Sequence, residues 1–218
     1  MDTPAGPTGR YRGLSAAERR AERRAKLLDA ALDTMGAGAG FRGTTITALC
    51  RAAKLSTRQF YEEFATLEDV LAALYRRIHD RSGGAVAGAL AATADAPLPE
   101  RIRATLRAHA AATAGDPRLA QIAYVQVVGV SPALEALRAE RRAQWIALLR
   151  AQAAEAVARG ELAYGDYTLV LHAFVGAVNG LLHDWAAGQV PADFEAVVDT
   201  LVRQLLAGLG GTVAPAGG

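Results

Sequence analysis

A chain of 218 residues, half of them apolar, has the length for one or two domains and a substantial core. Alanine dominates, aromatic residues make up only 6%, and β-branched residues are sparse, so the composition favours helices and argues against a sheet-built fold. A formal net charge of +2 assigns no partner by itself, and the single cysteine, Cys50, excludes an internal disulfide.

The distribution of charge says more than its sum. Residues 1–64 hold eleven Lys and Arg against seven Asp and Glu, whereas the remainder holds thirteen against fifteen. An excess of four positive charges at the N-terminal end suits an electrostatic footprint on phosphates, and a solvated surface would look similar. The N-terminus shows no apolar signal segment, and the longest apolar stretch, Leu169 to Trp185, is interrupted by His172, Asn179, His183 and Asp184. A cytoplasmic protein without a membrane span is expected.

Residues 1–14 carry Pro4, Pro7 and three glycines with little to bury, which predicts a disordered arm. Arg10 and Arg12 give it the charge to reach DNA, while a plain solvated tail is the favoured reading. Ser15 and Glu18 then form a capping box that opens a helix to about Gly36. Along it Arg19, Arg23 and Lys26 make a polar stripe, and Leu28, Leu32 and Met35 an apolar one.

Residues 40–71 carry the densest signal. A helix over Thr45 to Ala53 places Ile46, Leu49 and Cys50 on one face, where a small core residue is the natural reading of the cysteine. Lys54-Leu55-Ser56 breaks it, and Ser56 with Gln59 caps a second helix over Thr57 to Phe64. Phe60 and Phe64 face inward, leaving Thr57, Arg58, Gln59, Tyr61 and Glu62 outside. Two short helices joined by a three-residue turn suit a rod entering the major groove, and equally an αα-hairpin that merely packs.

Gly40-Phe41, Thr44-Thr45, Ala52-Ala53, Ser56, Tyr61, Phe64, Glu68, Val70 and Leu71 stand at fixed offsets that resemble the DNA-binding signature of the TetR family of bacterial transcriptional regulators. The resemblance covers about a seventh of the chain. It implies base contacts from Thr57, Arg58 and Gln59, and phosphate contacts from Thr45, Thr47, Lys54, Ser56 and Tyr61. Three positions depart from the family pattern. Lys54 stands where glycine is usual, Glu62-Glu63 follow the tyrosine, and Leu67 replaces a phosphate-binding lysine. Glu62 is either solvent-facing or a specificity element.

Thr66 and Asp69 cap the next helix, which carries Val70, Leu71, Leu74 and Ile78. Gly83-Gly84 marks either its end, the favoured reading, or a bend. Four long segments follow, about Pro99–Ala114, Asp116–Val128, Ser131–Arg159 and Asp166–Gly188, and a last one over Pro191–Leu209. In the third, Arg138, Arg141 and Arg142 with Glu135 and Glu140 read as a solvated, ion-paired face. The expectation is an all-α fold of about nine helices. Residues 15–66 form a helix-turn-helix domain, residues 67–209 a ligand-binding and dimerisation domain, and residues 210–218 a disordered tail.

The last two helices are apolar over broad faces, and a symmetric dimer would cover them. The expected interface comprises His172, Gly176, Asn179, Gly180, His183, Val198, Leu201, Val202 and Leu205, in line with how the family dimerises. Pocket candidates are His109, Gln121, Tyr124, Gln126, Trp145, Phe174 and Asn179, each of which also makes sense as an ordinary core residue. His172 and His183, eleven residues apart on one helix, are about 16 Å apart and cannot share a metal within a protomer. No nucleophile with its base, and no phosphate loop, stands at readable spacing, so neither an enzyme nor a cofactor is expected. The expected partners are operator DNA, a small-molecule inducer or co-repressor, and a second copy. The rival reading is a ligand-binding or scaffolding dimer that has lost DNA recognition.

Overall fold

Local capping chemistry sets most of the helix starts. The computed structural model describes residues 15–210, and all regular structure among them is helical. The predicted arm, with Arg10 and Arg12, and the tail beyond Gly210 lie outside the described residues. The helices are α1 (Ala16–Gly36), α2 (Gly40–Gly43), α3 (Ile46–Ala53), α4 (Thr57–Glu63), α5 (Leu67–Ala92), α6 (Leu98–Ala114), α7 (Pro117–Ala120), α8 (Pro132–Ala158), α9 (Thr168–Ala186) and α10 (Phe194–Gly208). Complete capping boxes open α1, α4 and α5, from Ser15 and Glu18, Ser56 and Gln59, and Thr66 and Asp69. Thr45, Asp116, Ser131 and Asp193 cap α3, α7, α8 and α10 singly.

The helix α1 packs on α3, α4 and α5. Its Leu27, Ala31 and Met35 are buried in one core with Leu49 of α3, Phe60 of α4, and Leu71 and Leu74 of α5. Charge completes that packing. The Glu63 side chain at the end of α4 is fully buried and accepts hydrogen bonds from Arg20 Nε at 3.2 Å, Arg23 Nη2 at 2.9 Å and Arg23 Nε at 3.2 Å. Arg24 donates to the Glu63 carbonyl and lies 4.2 Å over the Phe64 ring. Three arginines of one helix thus grip the C-terminal end of α4.

Four expectations need correction. First, Gly83-Gly84 does not end α5, which continues unbroken to Ala92. Neither glycine takes a left-handed φ, and Ser82 and Val86 stay buried as α5 packs along α6. That packing outweighs the helix-propensity cost of about 1 kcal/mol per glycine. Second, the segment predicted as a single helix over Asp116 to Val128 divides into α7 and a π-helical turn, Gln121–Gln126. Third, the glycine-rich break after α1 contains the short α2; the described residues hold ten α-helices and one π segment, in keeping with an all-α fold of about nine helices. Fourth, Val198, Leu201, Val202 and Leu205 are 0–3% exposed and belong to the core of their own protomer, where α10 lies against α6. Ion pairs Arg103–Asp199 and Arg107–Glu195 fasten the same seam. The apolar face of α10 was expected to need a second copy, and α6 already covers it.

A Glu63→Gln variant is expected to lose about 2 kcal/mol of unfolding free energy, because a buried acceptor of charge-assisted bonds is removed. Urea denaturation checks this against Glu62→Gln, whose exposed ion pairs should leave a change below about 0.5 kcal/mol.

Candidate functional site

The α3–α4 unit turns on one left-handed residue. Lys54 caps α3 with φ 55° and ψ 41°, and its N–H and that of Leu55 return to Arg51 and Cys50 carbonyls. This conformation suits glycine, and a lysine there costs on the order of 1 kcal/mol. Phe60 and Phe64 anchor the buried side of α4, while Thr57, Arg58 and Tyr61 stand exposed, the tyrosine at 61%. Gln59 is half-buried, and its Oε1 accepts from the Ser56 N–H at 2.9 Å as part of the cap. Arg58 leans on Glu62 at 3.4 Å, and Glu62 also meets Arg23 at 3.7 Å. Thr45, Thr47, Lys54 and Ser56 are all exposed. Cys50 is buried, its thiol pushed up by desolvation.

Further along the chain a partly open cavity lies among α5, α6, α8, α9 and the π segment. It brings together five of the sequence-predicted pocket residues, His109, Tyr124, Trp145, Phe174 and Asn179. Sequence reasoning missed Tyr75, His79, Thr105, Arg141 and Arg142, which also line it. Tyr75, His79 and Ser82 continue the spacing of Leu71, Leu74 and Ile78 along α5, so polar groups extending an apolar stripe were the available signal.

The polar groups of the cavity fall into two kinds. Thr113 Oγ1 donates to the His109 carbonyl at 2.9 Å, so its oxygen is left to accept from the Tyr124 hydroxyl at 2.8 Å. The Tyr124 oxygen then accepts from His109 Nε2 at 3.2 Å, and His109 Nδ1 from Ser82 at 2.8 Å. The chain fixes the imidazole as the Nε2–H tautomer and satisfies every member. By contrast, both ring nitrogens of His79, Thr105 Oγ1 and Arg141 Nε are buried without a protein partner.

Gln121 and Gln126 lie outside this cavity. Gln121 Nε2 donates to the Ala186 carbonyl at the end of α9, Gln126 Nε2 donates to Gln121 Oε1, and Gln126 Oε1 accepts from the Phe41 N–H at 2.9 Å. His183 Nδ1 donates to the Tyr124 carbonyl at 2.6 Å, inside the protomer. Asn179 Nδ2 bonds the Val175 carbonyl of its own helix. His172, Gly176 and Gly180 form an exposed strip on α9, and a Cβ added at either glycine would meet nothing within 4 Å. Among the described residues no cluster of His, Cys, Asp and Glu is arranged to hold a metal ion, and no helix is long and apolar enough to cross a membrane.

Residues 95–209, more than half of the chain, match the family model described as tetracyclin repressor-like, C-terminal domain. The chain belongs to the TetR family. No curated protein matches the sequence. Among solved TetR-like folds, FadR of Bacillus halodurans, a fatty acid degradation regulator, matches with TM-score 0.73 and 20% identity, covering 87% of this chain and 97% of that one. The regulator FadR of Bacillus subtilis in complex with stearoyl-CoA gives 0.71 at 17% identity, over 84% and 98%. The multidrug binding protein EbrR complexed with imidazole gives 0.60 at 23% identity, over 84% and 94%. At these identities the likeness concerns the TetR fold.

Burial pushes His79 down to about 4, with the charge of Arg141 acting the same way and that of Asp80 against it. Burial and then His79 bring His109 down to about 3. A depressed base binds fewer protons folded than unfolded. The stability this confers is therefore complete above about pH 6.5 and lost as pH falls toward about 4. Urea unfolding between about pH 7 and about pH 4.5 should show a falling free energy, and His79→Gln should shrink that fall by on the order of 2 kcal/mol.

Proposed function

We propose that this TetR-family protein is a homodimeric repressor that binds palindromic operator DNA and releases it when a small molecule enters the cavity. In this reading residues 15–66 meet DNA and residues 67–209 bind ligand and dimerise. The observation that carries it is the α4 helix, anchored by Phe60, Phe64 and Glu63 on one side and presenting Thr57 and Arg58 to solvent on the other. Arg58 suits a guanine edge. Gln59 reads an adenine only by giving up part of its cap, so its amide nitrogen is the freer contact. Thr45, Thr47, Lys54, Ser56 and Tyr61 hold phosphates.

Against the rival reading of a dimer without DNA recognition stands the geometry of the two glutamates. Glu63 is paired inside the fold, and the exposed Glu62 lies beside Arg23 as well as Arg58, so a guanidinium group still faces it when Arg58 turns to a base. Dimerisation is assigned to the exposed strip of α9, His172, Gly176 and Gly180, beside the 82% exposed Leu169. Symmetry then sets the two α4 helices about 34–36 Å apart, or a multiple, for successive major grooves. The path from ligand to DNA is the π segment, on which cavity residue Tyr124 and Gln126, bonded to Phe41, stand two residues apart.

Fluorescence anisotropy with DNA upstream of the protein's own gene and a scrambled control tests the reading. Arg58→Ala is expected to relax preference at one base position by about 1–3 kcal/mol, and Lys54→Ala to weaken all sequences alike with a flatter salt dependence. Equal loss on every sequence for Arg58→Ala refutes its role. Gly176→Glu should shift sedimentation from dimer to monomer and abolish operator binding together; a persistent dimer moves the interface elsewhere.

A further inference from the structure

The cavity carries more information than its presence. Its walls are strongly aromatic, with Tyr75, Trp145 and Phe174 among apolar neighbours, and Trp145 stands edge-on to His109 at 4.4 Å. It is lined by two arginines and no carboxylate. Arg141 pairs with Asp80 through Nη2 at 2.9 Å, but its buried Nε is unpartnered, and Arg142 has no ion pair among the described residues. On the same lining His79 and Thr105, each at least nine-tenths buried, hold polar atoms with no protein partner. A buried polar atom without a hydrogen bond is costly, and several converging on one cavity indicate what is meant to fill it.

The way in is also legible. His79, Arg141 and Trp145 line both this cavity and an outer groove between α5 and α8, whose floor includes Gly83, Val86 and Ala87. Nothing lies within 4 Å of a Cβ added at Gly83, so the small residue keeps this doorway wide without any demand from the backbone. Arg141 therefore stands where cavity and groove meet, with Arg142 next to it in sequence on the cavity lining.

Resting on the reading of this cavity as the effector site, we propose that its ligand is an anion with a flat, unsaturated body. The body stacks among the aromatic walls, while the anionic end, a carboxylate or a phosphate ester, meets Arg141 and Arg142. His79 and Thr105 take a further polar atom of the ligand. The neutral imidazole can donate from one nitrogen and accept at the other. A cationic ligand would face two guanidinium groups, with Asp80 of the adjoining groove, already paired with Arg141, as the nearby countercharge.

Calorimetric titration of the full-length protein with phenylbutyrate, phenylbutyl phosphate, phenylbutanol and phenylbutylamine, which share one body, tests this. Either anion should bind at least about tenfold tighter than the alcohol, and the amine weakest of all. The tighter of the two anions names the headgroup. Arg141→Gln combined with Arg142→Gln should bring the anions to the affinity of the alcohol while leaving the alcohol unchanged. That second arm separates lost recognition from lost folding. Alcohol or amine binding as tightly as the anions, no binding by any of the four, or a preference that survives the double substitution overturns the proposal. Anion binding that depends on the arginines yet leaves operator affinity unmoved supports the ligand class and sinks the effector reading instead.

Discussion

The position of α4 rests on a buried carboxylate. Two hydrophobic side chains, Phe60 and Phe64, could seat a seven-residue helix in several rotations, but Glu63 admits few, because its two oxygens must meet guanidinium groups arriving from Arg20 and Arg23 of α1. Most of the desolvation falls on the glutamate, since Arg20 stays 66% exposed. Such a contact contributes more to orientation than to stability. It fixes which face of α4 looks outward, and the exposed residues Thr57 and Arg58 inherit their direction from it.

That contact also explains what the sequence could and could not disclose. Glu62-Glu63 look alike as letters, two liabilities beside a presumed DNA helix. The fold gives them opposite fates only because α1 arrives with arginines at the right heights, some forty residues away in sequence. Helix starts were legible for the contrary reason. A capping box is closed within four residues, so Ser15, Ser56 and Thr66 declare their helices without tertiary help. Gly83-Gly84 misled because a local stop signal was overridden by packing along α6. The broad apolar face of α10 misled because periodicity reports that a face is covered, never by what.

The cavity divides in the same way. His109, Trp145 and Phe174 were readable as aromatic or polar residues on apolar helices. Their roles were not, since the Ser82–His109–Tyr124–Thr113 chain draws on three separate segments. In the fold His109 proves to be a satisfied framework residue, whereas the overlooked His79 is the one left open. Arg141 and Arg142 were concealed by their neighbours in sequence. Glutamates at 135 and 140 suggested an ion-paired face, yet Glu135 is taken by Arg138 and the Gly129 N–H.

The π segment joins these two halves of the molecule. One insertion relative to α-helical spacing allows Tyr124 to enter the cavity while Gln126 reaches the Phe41 N–H beside Gly40, whose φ of 72° and bare Cα give the amide room. The same region is held at other points. Arg118 bonds Asp33 of α1 at 2.6 Å, Gly36 admits the Arg118 backbone where a Cβ would stand 2.7 Å from its carbonyl oxygen, and Ser131 bonds Glu68 of α5. With contacts on α1, α2 and α5 at once, the helices around α4 cannot pivot on α5 alone. Any displacement of Tyr124 must either be absorbed within the six residues of the π segment or be passed to the helices that hold α4.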